Sequence, residues 1–242
     1  MPPEQLFKHV RGVRPTSKVT KMDTKKTHSS SEILTELITR YPVLAGSRED
    51  IQAACRMLEE SFTSGHKLLI VGNGGSAADA DHISGELTKS FRFKRRIPYS
   101  LRENLISSYG EEGKNLASNL EGGLPVIPLT TFNASLTAFA NDTCPQASFA
   151  QLVNALGTPG DVFLGITTSG NSENIVLALM LAKAKGIHSV ALTGAKGGKC
   201  VGLADICIRV PENETFKVQE LHLPVYHALC AMIEADMFNG IE

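Results

Sequence analysis

Residues 68 to 78, LLIVGNGGSAA, run from a short apolar stretch into a glycine-rich turn and out into helix-forming residues. In that order a parallel strand delivers its carboxyl end to a helix amino terminus. Unpaired N–H groups and the positive end of the helix dipole attract anions there. The pattern returns in DVFLGITTSGNSENIVLAL, 161–179, with hydroxyls replacing much of the glycine. Glycine and small polar residues also serve ordinary βα turns through geometry alone. Two such units with clustered hydroxyls point instead to a site for a phosphorylated small molecule.

The rest of the chain reads as strands alternating with helices. Ser30-Ser31-Glu32-Ile33 opens a helix with Ile33, Leu34, Leu37 and Ile38 at helical spacing, and Arg40-Tyr41-Pro42 ends it. A second amphipathic helix is predicted over 49–64, with Gly65 where a C-cap belongs. Strands are predicted at 68–72, 124–130, 161–167, 188–194 and 204–211. Helices follow the first glycine turn to about Thr88, start again near Ala134, span 172–185, and close the chain over 217–238. This pattern predicts an α/β fold, a three-layer α-β-α sandwich around a mostly parallel five-stranded sheet. Ligands then gather at the carboxyl ends of the strands. The two helices before the first strand exceed what a bare βαβ unit needs, and either cover a sheet face or meet a partner subunit.

Two segments stand apart. Residues 1–29 form a basic, apolar-poor stretch expected to be a disordered tail, ahead of one domain over 30–242. Residues 90–123 are charged and contain Gly and Ser, with leucines at 101, 105, 116 and 120. That is too long for a plain connection and predicts an inserted loop or helical lid.

Several function classes are disfavoured. A net charge of −1, no Trp and 6% aromatics give no field or stacking platform for nucleic acid. No apolar run reaches the roughly 18 residues of a membrane span, and the start has no signal-peptide core. The five cysteines contain no C-x-x-C pair and read as reduced thiols of a cytoplasmic protein. The turn GNGGSA departs from a dinucleotide fingerprint at its last position, and no P-loop is present. GAKGGK at 194–199 has the wrong spacing for one and reads as a turn.

The chemistry falls on two helices. His82 and Glu86 lie four apart on one face, with Asp79 on much the same side, within two turns of the glycine-rich turn. In the last helix, VQELHLPVYH supplies Gln219, His222 and His227, with Pro224 either in the first turn or at a kink. Such groups can ligate a borderline divalent ion such as Zn²⁺, or serve as general acid and base. A His/Glu pair on a helix is more often a surface contact, and here the accompanying phosphate turns favour function.

The combination GNGGSAADADHISGEL (72–87), AFAND (138–142), GDVFLGITTSGNS (160–172), ALTGAKGGK (191–199) and VQELHLPVYH (218–227) resembles the SIS (sugar isomerase) domain family, in its phosphoheptose isomerase branch. The resemblance covers about residues 30–240, interrupted by the insertion. It implies that Asn73, Gly74, Gly75, Ser76, Asn141, Asp142, Thr167, Thr168, Ser169 and Ser172 hold a sugar phosphate, together with Gln219. It also implies that His82, Glu86, Gln219 and His227 are the metal ligands, with one Zn²⁺ per site, and that Glu86 is the base and His227 the acid. His222 is not among those ligands and is left to the core or to a supporting role.

The implied activity is interconversion of a ketose and an aldose phosphate through an enediol, most simply sedoheptulose 7-phosphate to D-glycero-D-manno-heptose 7-phosphate. The implied assembly is a cytoplasmic homotetramer with sites at subunit interfaces and no nucleic-acid or membrane partner. The chain departs from the branch at Ser90, where an arginine is expected, with Lys89 beside it, and at Phe216. The alternative is a non-catalytic SIS protein that reads a sugar phosphate or assists replication initiation. The replication-initiation branch lacks the helix glutamate and the final histidine, and both are present here.

Overall fold

The computed structural model describes residues 28–238, so nearly all of the tail expected over 1–29 lies outside the described residues. The chain opens with α1 (Ser30–Arg40) and α2 (Arg48–Thr63). Ser29 caps α1: its hydroxyl accepts from Glu32 N–H, and the Glu32 carboxylate accepts from Ser29 N–H in return. A short 3₁₀ helix, Pro42–Ser47, separates the two helices, and Gly65, at φ 81°, ends the second as a left-handed cap. Then come β1 (Leu68–Gly72), α3 (Gly75–Thr88), α4 (Tyr99–Asn119), β2 (Val126–Pro128) and α5 (Asn133–Asp142). The chain continues through α6 (Ser148–Leu156), β3 (Val162–Thr167), α7 (Glu173–Ala184), β4 (His188–Thr193), β5 (Ile206–Arg209) and α8 (Thr215–Phe238).

The five strands form one wholly parallel sheet in the order β2-β1-β3-β4-β5. β1, β3 and most of β4 are buried, as strands covered on both faces must be. One face packs Leu68, Ile70, Leu164, Ile166, Val190 and Leu192 against α2, α3 and α8. The other packs Leu69, Val71, Phe163 and Ala191 against α6 and α7. Of the two leading helices, α2 thus covers a sheet face while α1 lies outside it, and both pack along α8.

Two element boundaries differ from the sequence reading, and one open alternative is decided. β2 is shorter than 124–130 because it is an edge strand with proline at 125 and 128, where ladder donors are missing. The helical stretch after Ala134 is two helices, α5 and α6, divided around Cys144-Pro145. Pro224 lies inside α8 rather than in its first turn. Segment 99–119 is helical but bends sharply at Gly110 (φ 57°, ψ −129°). Beyond the bend Gly113 packs against the Leu105 carbonyl, where a side chain could not fit. No helix among the described residues is long and apolar enough to cross a membrane.

Candidate active site

The two glycine and hydroxyl turns lie side by side, because β1 and β3 are hydrogen-bonded neighbours. Gly74 takes φ 55° and ψ −119°, a conformation that only glycine adopts readily. Gly75 is needed for a different reason: a Cβ there would fall 2.5 Å from Gln219 Nε2, so the Gln219 amide lies directly over the turn. Asn73 joins this turn to the next through a reciprocal amide pair with Asn174 (3.0 and 2.9 Å). Ser76 is buried in the first turn of α3.

In the second turn the Thr167 and Ser172 hydroxyls pair at 2.9 Å, and Ser169 Oγ accepts from Asn171 N–H. Thr168 is half-buried, and its carbonyl accepts from Gly194 N–H. The GAKGGK turn braces this loop from behind, since Lys199 N–H donates to Asn171 Oδ1 and Cys200 N–H to the Gly170 carbonyl. Neither α3 nor α7 has a side-chain cap at its amino terminus. Their first turns therefore present backbone N–H groups on the same edge of the sheet. Asn141 and Asp142 are exposed at the end of α5 and bonded to each other at 2.8 Å. Among the described residues no hydrogen bond joins them to either turn.

His82 and Glu86 project from α3 one helical turn apart, with His82 Nε2 3.2 Å from Glu86 Oε1. α8 brings His227 Nε2 to 3.5 Å from His82 Nε2, so residues 145 apart in sequence share one site. Tyr226, beside His227, donates its phenol proton to Asp79 Oδ1 (3.2 Å). The phenol oxygen lies 3.1 Å from His82 Nδ1 and is left to accept from it. With the phenol proton donated to Asp79, the imidazole carries its own proton on Nδ1 and turns the Nε2 lone pair toward Glu86. Nε2 and Glu86 Oε1 are then two acceptors in contact, an arrangement that calls for a proton or a cation. Imidazole nitrogen and carboxylate oxygen suit Zn²⁺ in donor type.

Burial raises Asp79 above the usual carboxylate range, against the opposing pull of Tyr226 and His82. Burial and the Asp79 carboxylate push the Tyr226 phenol up, which keeps it a proton donor. Burial, with help from His82, holds His227 below the ordinary imidazole range, while Glu86 acts the other way. Lys89 Nζ stands 3.7 Å from Glu86 Oε2, and the Phe91 ring lies 5.7 Å from that of His227. His222 is wholly buried near the Thr193 backbone, and its ring nitrogens have no partner in good geometry.

His82 stands between Glu86 and His227 rather than in a closed ring with them. Among the described residues, the compact set of three ligand atoms within 4.8 Å of one another is Cys55, Glu59 and Asp236. Asp236 lies roughly 25 Å along α8 from Gln219, at about 1.5 Å per residue, so that set is no part of this site. An open groove of about 490 Å³ between α1, α8 and Phe91-Arg92 reaches His227 but not the glycine turns.

Asn174, Tyr226, Asp79 and Phe91 thus support the site. Tyr226 and Asp79 lay inside motifs quoted from the sequence, but nothing in spacing alone paired them across the fold.

A wholly parallel five-stranded sheet, with paired glycine and hydroxyl turns opening helices at neighbouring strand ends, defines a sugar-isomerase type of α/β domain. The family model described as the SIS domain matches residues 130–233. A phosphoheptose isomerase of Aneurinibacillus thermoaerophilus is 42% identical over 181 residues, covering 75% of this chain and 78% of the relative. Phosphoheptose isomerase 2 of Campylobacter jejuni is 41% identical over 180 residues, 74% of this chain and 77% of the relative. The solved phosphoheptose isomerase of Neisseria gonorrhoeae superposes with a TM-score of 0.63 at 31% identity, covering 85% of this chain and 92% of that one. The chain belongs to the phosphoheptose isomerase family of SIS-domain enzymes.

Proposed function

We propose that this enzyme interconverts sedoheptulose 7-phosphate and D-glycero-D-manno-heptose 7-phosphate. The observation that carries the reading is the meeting of the α3 pair, His82 and Glu86, with His227 of α8, one helical stretch from two adjacent phosphate-type turns. The family's named relatives support the substrate class.

The phosphate binds to the turns carrying Asn73, Gly74, Gly75, Ser76, Thr167, Thr168, Ser169 and Ser172, aided by the amino termini of α3 and α7. Asn141 and Asp142 contact the sugar from α5. Anchoring the far end of the substrate orients its carbonyl and neighbouring carbon toward α3. Glu86 then takes the proton from carbon, and His227 supplies one to the carbonyl oxygen, giving an enediol; Glu86 returns its proton to the other carbon while His227 takes one back from the hydroxyl that becomes the new carbonyl. His82, Glu86, Gln219 and His227 would hold Zn²⁺, which when bound supplies polarisation of the substrate oxygens.

The enzyme works as a homotetramer with sites at subunit interfaces. Exposed Leu223 beside the groove, and Tyr99, Leu101, Tyr109 and Leu116 on α4, are the apolar surface that supports this. Its five free cysteines suit the reducing cytoplasm.

The test is a panel of ketose phosphates of five to seven carbons, followed for aldose product, with sedoheptulose 7-phosphate expected to turn over best. No turnover of any member by folded, metal-loaded protein would move the reading to a sugar-phosphate-binding protein.

A further inference from the structure

A buried ion pair lies behind the site and belongs to none of the motifs. Arg95 and Glu234 have fully buried side chains, and Arg95 Nε donates to Glu234 Oε1 at 2.8 Å. Removing two charges from water is costly, and such a pair is weak evidence for stability in itself. Its other contacts indicate what it does. Arg95 donates its two remaining nitrogens to the Leu87 and Glu86 carbonyls, both at 2.8 Å, at the end of α3. These are carbonyls the helix cannot satisfy internally, so the guanidinium is the C-terminal cap of α3. Glu234, on α8, accepts the Phe91 and Arg92 backbone N–H groups, each at 2.8 Å. Phe91 in turn lies against the His227 ring.

We propose that Arg95 and Glu234 are positioning residues that fix the distance between Glu86 on α3 and His227 on α8. The guanidinium holds the peptide unit of Glu86 itself, while the carboxylate holds α8 and the segment that places Phe91 on His227. The proposal rests on Glu86 and His227 being the reacting pair. It assigns a role to the run FRFKRR at 91–96, within the segment that the sequence marks only as an inserted loop or lid.

The informative variant is Arg95→Lys. It keeps the charge opposite Glu234 and both of its backbone bonds. A single ammonium on a shorter, unbranched donor cannot span the carboxylate and two carbonyls as a guanidinium fork does. The melting temperature should fall by several degrees as the α3 carbonyls lose their donors, with the protein fully folded at the assay temperature and KM for the ketose phosphate nearly unchanged. kcat should fall by about 10-fold or more, since small misplacements of reacting groups cost up to about 100-fold. The imidazole resonances of His82 and His227 should shift in the NMR spectrum of the variant.

Wild-type kcat with unshifted imidazole resonances would overturn the proposal. If Arg95→Lys does not fold, the double variant Arg95→Met/Glu234→Met, which leaves no unpaired charge, takes its place with the same expectations. If both unfold, or if activity loss only follows the unfolded fraction, the pair is a fold element alone and the proposal is wrong. If the wild type turns over no ketose phosphate, the functional reading fails, and the imidazole resonances still decide whether the pair positions these side chains.

Discussion

His222 makes the fold sensitive to acid. It stands on the buried face of α8 with Val218 and Val225, fully out of solvent. Burial lowers its pKa from 6.5 to about 4, against the opposing pull of the nearby Thr193 backbone, which is not in good hydrogen-bonding geometry. The unfolded chain exposes the same imidazole and protonates it near its ordinary value. Between those two values the unfolded state binds more protons, so stability falls as pH falls. The contribution is fully present above pH 6.5 and lost as pH approaches 4. At ~1.4 kcal/mol per tenfold, the whole gap is worth about 3 kcal/mol, of which about 2 kcal/mol is gone by pH 5.

The assay is urea unfolding of metal-free protein, followed by circular dichroism from pH 7.5 to 5, for wild type and His222→Leu. Leucine neither titrates nor leaves a ring nitrogen unpaired, so the variant's stability should fall by about 2 kcal/mol less over that range. Parallel curves for the two proteins would refute the argument and move the acid sensitivity to other groups.

Glu86→Gln should lower turnover by about 100-fold or more while leaving sugar-phosphate binding by calorimetry intact, because the phosphate turns lie elsewhere. His227→Asn should behave likewise, and near-normal turnover in Glu86→Gln would remove it as the base. Ser172→Ala should weaken sugar-phosphate binding by roughly 1.5–3 kcal/mol with little change in melting temperature; a large fall in melting temperature at unchanged affinity would make the Thr167–Ser172 pair a structural turn instead. Chelation should abolish turnover and Zn²⁺ should restore it, whereas full activity in metal-free protein by elemental analysis would remove the metal from the mechanism.

The local features were legible in the sequence because their causes are local. The serines before Glu32 mark the start of α1 at Ser30, although the cap itself is Ser29, which the sequence reading leaves in the tail, and β1 and β3 announce themselves as unbroken apolar runs buried on both faces. The Asn-Gly-Gly turn declares its own backbone requirement at Gly74, and His82 and Glu86 share a face by helical geometry. Boundaries at β2 and between α5 and α6 were less legible, because a proline such as Pro125, Pro128 or Pro145 can end an element or sit at its edge, and the sheet position decides which.

Contacts between distant segments depend on the tertiary structure. Helical spacing cannot say that α8 crosses α3 so that His227 meets His82, or that Tyr226 points to Asp79 and sets the imidazole tautomer. Nor can composition distinguish Arg95, buried against Glu234, from the exposed basic residues around it. The sequence by itself determined which residue types the two turns and two helices offer, because backbone conformation and periodicity act over a few residues. Only the tertiary structure decided which of them meet, because burial and close packing couple positions that the chain holds more than a hundred residues apart.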